Sequence, residues 1–162
     1  MKGLQELLDN LDDVGVTMRQ SGRGAANAAA QDVKRTAVEN ARAQGLVETG
    51  ALVNNIAVKR ERGTPDTWFE YHVGVRHGSE AKGAQRIAVR GADGKIRLEY
   101  SDNPFYWWFW EIGHYNVFLR RHVAARPFLR PAMLSRESAL IEVMRAYLAA
   151  RLERRVNKVL AA

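Results

Sequence analysis

Between Phe105 and Tyr115 the chain sets seven aromatic side chains in eleven positions, in the run NPFYWWFWEIGHYNVF that begins at Asn103. One face of one helix cannot bury that many large rings. A chain of 162 residues offers one modest core, in which about two-thirds of the unfolded surface is lost. The sequence contains no cysteine, so stability must come from packing or association rather than from disulfides. Pro104 suits the first turn of a short helix. Some of the rings after it are expected to face outward on the single chain, where Trp and Tyr act as interface anchors.

The other claims on the core come from amphipathic stretches. Leu4, Leu7, Leu8 and Leu11 recur at i, i+3, i+4 and i+7, a short helical stripe. Ser21 to Gly24 (SGRG) reads as a break after an N-terminal segment 1–21. Ala25 to Ala43 is then an alanine-rich helix with Ala26, Ala29, Ala30, Val33, Ala37 and Ala41 on one face and Asp32, Lys34, Arg35 and Glu39 off it, stopped by Gly45. The last third predicts one long helix from about Pro131 to Leu160, striped by Leu140, Val143, Met144, Tyr147, Leu148, Leu152, Val156 and Val159.

Between the helices the period falls to two. Val53 to Arg60 and Thr67 to Arg76 read as strands around the turn-forming RERGTPD, and Arg86 to Arg90 with Lys95 to Tyr100 as a hairpin across Gly91–Gly94. His77 to Gln85 is polar and glycine-bearing, and is expected to be a mobile loop. The fold class expected is α+β: a mostly antiparallel sheet packed by the Ala-rich N-terminal helix and the long C-terminal helix, in one domain spanning 1–162.

Catalytic chemistry finds little footing. His72 and His77, and His114 and His122, allow a two-plus-two histidine site on paper, but their spacing matches no metal motif, and four separate surface or structural histidines are the preferred reading. No G-x-S-x-G, P-loop or dinucleotide fingerprint occurs. Gly22-Arg23-Gly24 could bind an anion at a helix start, though a flexible joint explains it better. No enzyme activity, cofactor or metal is expected. The N-terminus is acidic and amphipathic, unlike a secretory signal, and no run of about 20 apolar residues is present for a membrane span, so synthesis in the cytoplasm is expected. A formal charge of +7 favours acidic partners in general. Arg120, Arg121, Arg126 and Arg130, with Phe118 and Phe128 among them, supply the mix a nucleic-acid surface needs, so a basic nucleic-acid-binding module is the alternative reading.

Three short motifs, taken in order, resemble a known family. Thr49-Gly50-Ala51-Leu52 comes after the alanine-rich helix, the aromatic stretch with Trp107, Trp108 and Trp110 ends in Glu111-Ile112-Gly113, and Arg126-Pro127-Phe128-Leu129-Arg130-Pro131-Ala132 opens the last helix. This order resembles that of the tailed-phage morphogenesis proteins that complete the tail and join it to the head. The family usually carries Thr after that Gly, whereas Gly113 is followed by His114. The resemblance implies a structural virion protein at the neck or upper tail. It would form a ring, sixfold in the family, against the head connector, the tail terminator or the tail tube, with non-specific contact to DNA in the channel. The motif residues would serve as interface or structural elements, Glu111 meeting an arginine such as Arg126 or Arg130.

Overall fold

The structure, a computed structural model, describes residues 2–47, 50–63, 65 and 68–160. Thr49 lies outside them, as do the side chains of the Leu4–Leu11 stripe and of Val156 and Val159. The elements are α1 (Lys2–Ala43), α2 (Ala51–Asn55), β1 (Ile56–Arg60), β2 (Tyr71–Val75), β3 (Arg86–Arg90), β4 (Ile96–Tyr100), α3 (Trp107–Ile112), β5 (His114–Asn116), β6 (Arg121–Val123), α4 (Leu129–Arg136) and α5 (Leu140–Leu160). The fold is α+β. In place of one sheet, the described strands form three separate two-stranded ladders, β1–β2, β3–β4 and β5–β6. The chain divides into two compact units, one of residues 1–32, 59–72 and 136–162, the other of 33–58 and 73–135.

In the first unit the break expected at SGRG is absent, and α1 runs straight through it. Each glycine inside a helix costs about 1 kcal/mol relative to alanine, so something must offset the loss. Two rings do. A Cβ on Gly22 would lie 2.9 Å from Phe69 Cε2, and one on Gly24 would lie 2.6 Å from Tyr147 Cζ. The glycines are the seats of these rings. The Arg23 guanidinium lies 5.8 Å from the centre of the Phe69 ring, and the Tyr71 hydroxyl donates to the Arg23 carbonyl at 3.1 Å. Asp32, which lies off the alanine face, is 4% exposed and accepts a hydrogen bond from Arg136 Nε at 2.6 Å. A buried carboxylate persists only with such a partner.

The second unit holds most of the apolar core: Val33, Ala37 and Ala41 of α1 with Leu46, Leu52, Ile56, Val75, Phe128 and Ala132 are all buried. Gly45 ends α1 as expected. At φ 69° it lets Leu46 N–H reach the Ala41 carbonyl and its own N–H reach that of Arg42, a Schellman closure. Gly50, at φ 75°, leads into α2, so Val53 to Asn55 are helical and the first strand starts only at Ile56. The buried Asn55 explains the change of structure there. Its Nδ2 donates to the Ala51 carbonyl, its Oδ1 accepts the Lys82 N–H, and its carbonyl accepts the Arg76 N–H at 2.9 Å. The segment 77–85 contains a 3-10 turn at Gly78–Glu80, a buried Ala81, and a bond from Gly78 N–H to Asn103 Oδ1 at 2.8 Å.

The β3–β4 hairpin forms where expected, Arg86 opposite Tyr100 and Arg90 opposite Ile96, closed by Gly94 at φ 76°. The single C-terminal helix expected from residue 131 is two helices. α4 gives way to a 3-10 turn at Glu137–Ala139 before α5 starts.

Candidate interaction surface

The segment Arg126 to Ala132 is fixed by side chains that reach its backbone from two other elements of the same unit. Glu111, on α3, accepts the N–H groups of Phe128 at 3.0 Å, Leu129 at 3.2 Å and Arg130 at 2.8 Å. From α1 and the turn that ends it, Asn40 Nδ2 donates to the Phe128 carbonyl at 3.1 Å and Gln44 Nε2 to the Pro127 carbonyl at 2.6 Å. The carboxylate thus caps the N-terminus of α4, where free N–H groups and the helix dipole favour negative charge. Within the chain these three amides, rather than Arg126 or Arg130, are the partners of Glu111. Arg126 lies over the Trp110 ring at 5.6 Å and donates its N–H to the Trp110 carbonyl, while Arg130 is exposed. Pro131 sits within the first turn of α4, where its missing N–H costs nothing. Held this way, Phe128 is 0% exposed.

Gly113 joins α3 to β5. It has φ 75°, and a Cβ there would approach Val123 O at 2.9 Å and Ala125 N at 3.0 Å. Beyond it the sequence pattern suggests only a loop, and the structure shows a hairpin: His114 pairs with Val123, Tyr115 with His122 and Asn116 with Arg121. Strands of three residues leave almost no periodicity to read. Asn116 is the signal that was there, since its Oδ1 accepts the Leu119 N–H at 3.0 Å and closes the turn.

These elements leave much apolar surface uncovered. No residue of α3 is buried. Trp108, Phe109 and Ile112 are exposed on it, with Phe105 before it, and the β5–β6 turn exposes Val117, Phe118 and Leu119. Trp107 and Trp110 are half-buried, Trp107 meeting Trp108 edge-on at 5.5 Å. Beside them lies an open cleft of about 910 Å³, walled by Leu46, Tyr100, Tyr106, Phe109, Trp110 and Val123, with Asp102, His114, Asn116 and Arg126 among its polar groups. The His114 ring meets that of Phe109 at 5.0 Å with a tilt of 42°, and its Nδ1 is buried without a hydrogen-bond partner among the described residues.

Of the sequence-predicted residues, the second unit brings together Gly50, Leu52, Trp107, Trp108, Trp110, Glu111, Gly113, Arg126, Pro127, Phe128, Arg130 and Pro131. Sequence reasoning missed Asn40, Gln44 and Asn55, whose roles are hydrogen bonds to backbone atoms far along the chain. Their one visible sign was an amide pair at i and i+4 near the end of α1. Among the described residues no group of three or more His, Asp or Glu side chains is placed to hold a metal ion. No described helix is long and apolar enough to cross a membrane.

The class of this α+β chain is set by a family model, which places it among the tail components of tailed phages. Residues 5–113 match the HK97-gp10-like family model, described as "Bacteriophage HK97-gp10, putative tail-component", and the chain belongs to that family. The matched stretch runs from α1 to Gly113, so the β5–β6 hairpin and the Arg126–Ala132 segment lie past its end. No curated protein and no solved structure matches the chain.

Proposed function

We propose that this tail component is a non-enzymatic ring subunit at the head-tail junction, in the neck or at the upper end of the tail. The observation that carries the reading is the aromatic face of the second unit. Glu111, Asn40 and Gln44 fix the neighbouring Pro127–Arg130 backbone, yet α3 and the β5–β6 turn hold Trp108, Phe109, Ile112, Val117, Phe118 and Leu119 in solvent. Monomers rarely expose apolar patches of this kind, and a second protein surface is their usual cover. The neighbours in this reading are further copies of the chain and the connector, terminator or tube proteins. Sixfold closure rests on the family resemblance.

The test is made on particles. Cryo-microscopy of the neck should show the chain as a ring, and phage lacking its gene should accumulate unjoined heads and tails. Normally joined particles without the gene would end the proposal. The segment 77–85 adds a smaller test, being expected to be cut by protease faster in the free protein than in the tail.

A second reading, contact with nucleic acid, is favoured by one observation: Arg120, Arg121, Arg126 and Arg130 are all exposed on the same unit. Retention on duplex DNA that falls steeply with salt would support it, and no retention at low salt would dismiss it.

A further inference from the structure

We infer that the β5–β6 turn of one copy is the occupant of the aromatic cleft of the next, with Phe118 as the inserted side chain. This rests on the ring reading above and names the contact that would close the ring.

The turn and the cleft are made for something outside the chain. Phe118 is 99% exposed, between the exposed Val117 and Leu119. Phe118 at the hairpin tip buries almost nothing against its own chain. Yet the tip has a defined shape, because Asn116 closes it and Arg120 holds φ 48°. A non-glycine residue in that region costs roughly 1 kcal/mol, which makes the tip a specified conformation. The cleft shows the converse. Its walls include Tyr106, Phe109 and Trp110, and its volume of about 910 Å³ is in the range of cavities that enclose a whole ligand.

Hairpin and cleft share a wall. His114, Asn116 and Val123 belong to the strands and also line the cleft, while none of residues 117–120 does. The chain therefore presents its knob and does not seat it in its own hole. A contact between two different patches on successive copies is heterologous, and it closes into a ring when the rotation permits. Charge agrees with this pairing at one point of the cleft: among the described residues Asp102 is the one carboxylate lining it, and it is exposed, while Arg126 lines it as the cation the tip would have to avoid. The tip carries the exposed Arg120 and Arg121 beside Phe118. Asp102 and Arg120 are also the two non-glycine residues with positive φ among those described.

The natural chain has no cysteine, so introduced thiols report one contact at a time. Phage would be grown with Phe118→Cys and Asp102→Cys chains supplied together, and its tails treated with a short bis-maleimide. A cross-linked dimer that requires both variants is expected, with neither alone giving a band. Phe118→Glu should lower incorporation into tails by about tenfold or more, since a tenfold change needs only about 1.4 kcal/mol at a buried anchor. Unchanged melting of each variant, followed by circular dichroism, shows that folding is intact. A dimer from Phe118→Cys alone would mean a two-fold contact and overturn the inference. So would a link from either thiol to a different tail protein. Monomer alone, in tails that carry several copies, sinks the cleft contact and leaves the ring standing. One copy per tail sinks both.

Discussion

Phe118 and Phe128 stand in the same stretch of chain, each in a turn with arginines close by, and they end at opposite extremes: one is 99% exposed and the other 0%. Hydrophobicity cannot account for the difference, since the residue type is the same. What differs is the backbone around each. The carbonyls of Pro127 and Phe128 and the amides of Phe128, Leu129 and Arg130 are met by Gln44, Asn40 and Glu111, three side chains from the C-terminal end of α1 and from α3. A turn whose polar groups are satisfied from outside can be drawn under the surface and take its ring with it. The Phe118 turn is closed by its own two strands and by Asn116, local bonds that fix shape without bringing any other element over it. Burial here tracks the hydrogen bonds. The two turns are accordingly suited to different work, one to holding the fold and the other to meeting a partner.

The largest expected effect is at the buried ring. Phe128→Ala should cost about 3 to 5 kcal/mol, from lost transfer energy and the cavity left behind, read as a lower midpoint in urea unfolding followed by circular dichroism. A loss under about 1 kcal/mol would mean that the site collapses easily and that Phe128 is no keystone. Next comes the residue that holds this turn. Glu111→Gln keeps one acceptor but removes the charge from the helix N-terminus, and should cost about 1 to 3 kcal/mol. The structure sharpens that expectation, because the loss should persist when Arg126 or Arg130 is replaced by methionine. A loss that vanishes in either background would restore the arginine pairing first expected for Glu111.

The same distinction between local and distant causes separates what was legible in the sequence from what was not. Gly45 as a helix stop and the β3–β4 hairpin were readable because their chemistry is complete within a few residues. SGRG reads as a break because the reason for its glycines lies at Phe69 and Tyr147, far along the chain. The burial of Asp32 left no sign in the sequence because Arg136 is 104 positions away. Glu111 stands out in the sequence, but its partners are backbone amides, which carry no signature of their own. The excess of rings over core volume was readable by counting. The turn that exposes Phe118 was not, since strands of three residues do not announce a hairpin.

On the exposed turn the effects should shrink. Asn116→Ala removes one side-chain bond at the surface, worth about 0.5 to 1 kcal/mol, and leaves β5 and β6 joined by a looser tip. A loss as large as that of Glu111→Gln would show that the tip is held as firmly as the Phe128 turn, and the contrast would fail.

The smallest effect on stability is expected at Phe118 itself. With its side chain 99% exposed, Phe118→Ala removes no buried area, and changes of this kind fall within about 0.5 kcal/mol. The melting temperature of the free protein should therefore not move, while incorporation into tails falls. That pairing of results separates an interface residue from a structural one, because a side chain that packs in the free protein must show in its melting. A drop of several degrees in the isolated variant would place Phe118 against its own chain in solution. The two phenylalanines would then differ in degree only, and the cleft would have to be filled by something other than the turn of a second copy.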